Sequence, residues 1–239
     1  MDQVANADSA FAGFCAQCVD NKDICPIAGD RTATELEEDI YAALEELKYN
    51  PIPISVEGKG YFVDYATVKG VIYYALYFPV QWPALGQKLD VLFSGNATGI
   101  LPDLLAPAPT APDAEAIIGI KCSDNLAPAE SLGEVMPGVE ARWERSRFAG
   151  DIADVSALQC ARWGMPAKER YSGDFQVETA HPVLLISTQN DPNTPLVSAK
   201  NMSAGFEGSV VLEQEGYGVS PHLPFFSPAQ LYFLLIPSF

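Results

Sequence analysis

The side chains able to do chemistry gather around one carboxylate. Asp191 follows Pro182-Val183-Leu184-Leu185-Ile186 and a polar run, Ser187-Thr188-Gln189-Asn190, and precedes Pro192-Asn193-Thr194-Pro195-Leu196. Val183 to Ile186 read as a short buried strand. In an open parallel sheet, a carboxylate just past a strand's C-terminal end stands where ligands and catalytic groups collect. Such a group can orient an imidazole and stabilise its charged form while the imidazole activates a nucleophile. The plainer alternative is a turn residue, because Asp before Pro is common in turns. Two histidines exist to pair with it, His181 and His222. His181 precedes the strand and so lies on the wrong side of Asp191. Cys15-x-x-Cys18 is the other reactive spacing, but no second Cys or His pair stands near it to complete a zinc site.

The elements that must position Asp191 can be read outward from it. A helix begins at Pro195-Leu196-Val197, a second strand is expected over Ser209 to Leu212, and Glu213 to Gly218 reads as an acidic, glycine-rich turn. Upstream, residues 7–26 carry Phe11, Phe14 and Cys18 at helical spacing, with the helix ending near Asp20-Asn21. Thr34-Glu35-Leu36-Glu37 reads as a capping box opening a better helix, with Leu36, Ile40, Ala43, Leu44 and Leu47 on one face. Val56 to Val63 reads as a tight hairpin, Asp64 as the cap of a helix through Ala75, and a further helix runs to about Phe93. The prolines of residues 106–112 mark a stiff linker. Ala116 to Ile120 is expected to be a buried strand returning to the main sheet, with a short helix as the alternative. Tyr73, Tyr74, Tyr77 and Trp82 are expected mainly in a core, with a substrate entrance as their other use. The basic stretch from Arg142 to Phe148 reads as a helix face balanced by neighbouring acids.

Strand, acidic turn, helix, strand and glycine turn resemble the closing βαβ unit of an α/β-hydrolase, in which the triad acid and histidine follow different strands. More narrowly, Pro182 to Ile186, Asp191-Pro192-Asn193-Thr194-Pro195-Leu196, Phe206-Glu207-Gly208-Ser209-Val210-Val211-Leu212 and Gly216-Tyr217-Gly218 resemble the tripeptidyl-aminopeptidase-like serine exopeptidases, relatives of the prolyl aminopeptidases. Residues 7–170 resemble the family's cap region more weakly, through Leu76 to Leu85. The resemblance implies an α/β class, with a helical cap over 1–112, a hydrolase segment over 113–218, and Asp191 as triad acid. It also implies a peptide substrate cleaved from its N-terminus, no cofactor, a secreted parent protein, and the pairing of Cys18 with Cys25 and Cys122 with Cys160.

Two departures bear on activity. After Gly216-Tyr217-Gly218 the family has His, whereas this chain has Val219-Ser220, and His222 lies three residues farther on. His222 is retained as the candidate substitute, although a three-residue slip must disturb an imidazole that has two partners to reach. No Gly-x-Ser-x-Gly occurs, so the elbow that exposes a catalytic serine is missing. The chain is therefore expected to begin inside the cap of a longer enzyme and to be inactive as written. Residues 219–239 hold no charged side chain, and Val-Ser is what a splice donor encodes when read through. That tail is accordingly expected to be aberrant. The alternative is a peptide- or glycan-binding protein that has lost its chemistry.

Composition bounds the rest. With 14 basic against 31 acidic residues and a net charge of −17, nucleic acid and anionic membranes are not expected partners. No uninterrupted apolar run reaches the roughly 18 residues of a membrane span, and no signal peptide opens the chain. Asn96-Ala97-Thr98 and Asn201-Met202-Ser203 are glycosylation sequons.

Overall fold

The computed structural model describes residues 3–100, 102, 111–124, 129–152, 154–165 and 167–219. Its core is built by α1 (Ala7–Asp20), α2 (Ala33–Tyr49), α3 (Tyr65–Leu76) and α4 (Trp82–Phe93). The pattern in α2 shows why. Leu36, Ile40, Leu44 and Leu47 recur at helical spacing and are all buried, while Glu37, Glu38, Glu45 and Glu46 stay off that stripe. The capping box forms two residues earlier than expected. Thr32, not Thr34, accepts from the Glu35 N–H at 3.3 Å, and Glu35 Oε2 accepts from the Thr32 N–H at 2.8 Å. Both threonines have a glutamate three residues on. The earlier one wins because it lengthens the helix without turning Leu36 off the core.

A hairpin joins α2 to α3. β1 (Ile52–Val56) pairs antiparallel with β2 (Lys59–Val63). The two turn residues, Glu57 at φ 51° and Gly58 at φ 77°, adopt the left-handed geometry that a two-residue turn requires. Asp64 caps α3 by accepting from the Thr67 N–H, as expected.

Residues 116–120 do not form the expected strand. They lie within α5 (Ala111–Asp124), with Ile117 and Ile120 exposed. Five apolar residues satisfy either period, and upstream Ala111, Ala114 and Glu115 are helix formers, with Pro112 tolerated in the first turn, so the helix runs to 14 residues. α7 (Asp154–Ala161) packs with both α5 and α6 (Leu132–Arg145), and the Cys122–Cys160 disulfide joins α5 to α7. The Cys18–Cys25 disulfide ties α1 to the turn after it, which leaves Cys15 buried and free rather than half of a redox pair.

The βαβ unit is present. β3 (Leu184–Asn190) and β4 (Val210–Tyr217) pair in parallel across α8 (Leu196–Gly205), with Leu184 opposite Val210 and Ile186 opposite Leu212. Both strands run longer than the sequence indicated. In particular, Glu213 to Tyr217 continue the strand because Ser187 to Asn190 pair with their backbone. Nor is the pair buried: Leu184 and Ile186 of β3 and Val210 of β4 are 53%, 56% and 58% exposed. Parallel sheets ordinarily have both faces covered. Here one face of the pair stands open.

The segment entering this unit is anchored in the helical core. Asp8 in α1 accepts from the Ser146 hydroxyl at 2.6 Å and from the Arg147 and Phe148 N–H groups at 2.9 and 2.8 Å. The Phe148 ring then stacks on Phe11 with centroids 4.4 Å apart. Arg147 pairs with Glu38 and lies over the Tyr41 ring, so an acid balances it as expected, although Arg147 stands in the turn past α6 rather than on a helix face. Below it Lys69, whose side chain is 4% exposed, donates to Asp151 at 2.6 Å and to the Tyr65 hydroxyl. Burial pulls the Lys69 amine below its ordinary range, with the Asp151 contact opposing.

Removing one partner of a buried pair strands the other charge. Asp151→Ala should therefore lower stability by about 3 kcal/mol in urea denaturation, and Lys69→Met combined with Asp151→Leu should recover most of that loss. Because the folded state holds the Lys69 proton less tightly than the unfolded chain does, stability should rise as pH climbs from the depressed value towards the ordinary 10.5. The paired apolar variant should lose that rise.

Candidate active site

Asp191 is the first residue after β3 and is 2% exposed. Its loop holds it. Oδ1 accepts from the N–H groups of Asn193 at 2.9 Å and Thr194 at 2.7 Å, and Oδ2 accepts from the Thr194 hydroxyl. These are the contacts of an Asp-initiated turn, so Asp191 does fill the turn role. A carboxylate offers about four lone-pair sites, however, and three donors leave one for an imidazole N–H. Asn193 and Thr194 as its donors were not singled out from sequence, although Asp-Pro-Asn-Thr carried the signal of an Asp side chain folding onto the backbone two residues on.

The next layer comes from the helices. The Tyr73 hydroxyl of α3 lies 3.3 Å from Asn193 Oδ1 and 3.4 Å from the Pro192 carbonyl. Burial, then Tyr77 and the charge of Asp191, push the Tyr73 phenol well above its ordinary range, so it stays protonated as a donor. Gln3 donates to Asn193 Oδ1 at 2.8 Å, and Asn6 donates to the Gln189 carbonyl at 2.8 Å. Tyr73 thus serves neither purely as core nor as an entrance. It braces the acid loop.

The ends of the two strands are tied together at the same place. Asn190 Nδ2 donates to the Gly216 carbonyl at 3.0 Å, and the Gly218 N–H donates to the Asn190 carbonyl at 3.3 Å. The Val219 N–H donates to the Tyr77 carbonyl at 3.1 Å, so α3 also holds the exit of β4. Tyr217 packs between Gly13 and Trp82. Its ring stands 5.3 Å from Trp82, and a Cβ on Gly13 would come within 2.1 Å of Tyr217 Cε1. Beside it a cleft of about 670 Å³ is lined by Ile24, Pro79, Val80, Trp82 and Pro83 along the Cys18–Cys25 disulfide.

The structure does not bring His181 to Asp191. It is exposed, before β3, and seven strand residues at about 3.3 Å each put roughly 20 Å between the two ends. His222 lies outside the described residues, as does nearly all of the 219–239 segment. Among the described residues no three His, Cys, Asp or Glu converge as a metal site would need. Among them, too, no helix is long and apolar enough to cross a membrane.

Thr194→Val should cost about 2 kcal/mol in chemical denaturation, the range for a hydrogen bond to a charged group. Tyr73→Phe should instead leave the melting of the helical core nearly unchanged while speeding hydrogen exchange at the Asn193 and Thr194 amides.

Residues 146–222 match the family model described as TAP-like protein, an abhydrolase family. No curated protein matches the chain. The match takes in the anchored segment at Ser146, the Asp191 loop and both paired strands. Over residues 146–222, the chain is similar to the TAP-like α/β-hydrolases.

Proposed function

We propose that this chain carries the acid arm and helical cap of a serine exopeptidase that releases short peptides from N-termini, and that the chain alone is catalytically silent. The observation that carries the reading is the placement of Asp191: buried, tethered by three donors, and next to the tied exit of a neighbouring parallel strand. In a triad, that carboxylate would hold an imidazole in one tautomer and stabilise its charged form. The nucleophile would come from an elbow that this sequence does not contain.

The open face of β3 and β4 supports an incomplete sheet. Leu184, Ile186 and Val210 are exposed, and the buried Ser187 hydroxyl has no hydrogen-bond partner among the described residues. The cleft beside Trp82 and Tyr217 has the size and apolar character to take a peptide side chain close to the β4 exit. Two disulfides fit an oxidising, extracellular setting.

The test is to incubate the purified full chain with a fluorophosphonate probe and with fluorogenic tripeptidyl substrates. Neither labelling nor turnover is expected, since loss of the serine from such a unit costs up to about a million-fold. A labelled serine, or turnover abolished by Asp191→Asn or His222→Ala, would overturn the silent reading. Saturable peptide binding without turnover would instead favour a peptide-binding protein that has lost its chemistry.

A further inference from the structure

The two sequons differ in their backbone: one opens at the loop residue before a single 3₁₀ turn, the other lies wholly inside an α-helix. Asn96 sits in the exposed turn after α4, just past Gly95 at φ 95°, and its sequon runs on into one short 3₁₀ turn, Ala97–Ile100. The turn is pinned from below by Ala97 and Ile100, which are buried at 5% and 1% exposure. The Asn96 carboxamide is held by its oxygen alone. Oδ1 accepts from the Thr98 N–H at 3.0 Å and from the Thr98 hydroxyl at 2.5 Å. Nδ2 makes no hydrogen bond to the described residues. The acceptor nitrogen is thus presented to solvent, while the hydroxyl that defines the sequon already touches the amide it must assist.

Asn201 differs in each respect. It lies inside α8 (Leu196–Gly205), where residues two apart point to different sides of the helix. The Ser203 hydroxyl is shared with Ser209 Oγ at 2.7 Å, and Ser209 donates back to the Ser203 carbonyl at 2.8 Å. The hydroxyl of this sequon is therefore committed to closing the helix onto the approach to β4. An extended Asn-x-Ser conformation would require unwinding the last turns of α8.

We infer that Asn96 is an N-glycosylation site of this protein and that Asn201 is not. The donor is a polyprenyl-diphosphate-linked oligosaccharide. Asn96 Nδ2 bonds to the anomeric carbon of the reducing-end sugar and gives up one proton. The bond from that carbon to the phosphate oxygen breaks, and polyprenyl diphosphate leaves with the electron pair. The inference rests on entry into a secretory compartment, which is part of the reading above. Its failure is separable from failure of that reading, because the experiment supplies the address.

The full chain, carrying an appended cleavable leader, is expressed in secreting eukaryotic cells. Cell and medium fractions are then compared by gel mobility and intact mass before and after treatment with an amide-cleaving glycosidase. The expected result is a single glycan, lost in Asn96→Gln and independently in Thr98→Ala, and retained in Asn201→Gln. Thiol blocking of the same samples reports whether the two disulfides have formed, and hence whether the chain reached the oxidising compartment. A glycan that survives Asn96→Gln, one lost in Asn201→Gln, or none on a chain with both disulfides formed would overturn the assignment.

Discussion

The docking of Tyr217 against Gly13 is the contact on which the arrangement turns. The phenol ring occupies the space that a side chain at position 13 would need, and it rests on Trp82 on its other side. A strand end is thereby seated in a helical core at one defined depth. Only a residue without Cβ allows the ring so close, and close packing makes such a seat unforgiving to within a methyl group. Because β4 is paired with β3 along its length, fixing the end of one strand fixes the other, and with it the loop that presents Asp191.

Polar contacts complete what that seat begins. Asp8 gathers Ser146, Arg147 and Phe148 ahead of the βαβ unit, and Tyr73 and Tyr77 hold the two strand exits of that unit. One helix, α3, thus supports the acid loop through a phenol and the β4 exit through a backbone carbonyl. The helices form part of the frame that sets the geometry of the Asp191 loop. This accounts for a buried carboxylate so thoroughly tethered in a unit whose sheet has only two strands among the described residues.

The same division explains where stability is concentrated. The helical core buries its large side chains almost completely, from Phe11 and Phe14 to Leu89 and Ile100. The βαβ unit leaves apolar residues in solvent and, among the described residues, one buried hydroxyl without a partner. A parallel pair has little stability of its own, since its faces need covering and its contacts are distant in sequence. In this chain the unit borrows order from the helices it is docked to.

Much of this was legible in the residues themselves. The stripe of Leu36, Ile40, Leu44 and Leu47, the Asp64 cap, the Glu57-Gly58 hairpin and the strand–turn–helix–strand run around Asp191 are local patterns, and local sterics and periodicity determine them. Both disulfide pairings came through the family resemblance rather than from spacing. Where local signals were degenerate, tertiary context chose. The two overlapping threonine caps, the apolar run at 116–120 and the length of β4 each depended on which neighbours were available to pack or pair. Only the fold could reveal that Tyr73 serves the acid loop, that Asp8 and Lys69 anchor a segment some 140 and 80 residues away, and that one sequon opens in an exposed loop while the other lies inside an α-helix. Those facts join residues far apart in the chain or depend on backbone shape, and no period of two or 3.6 residues encodes them.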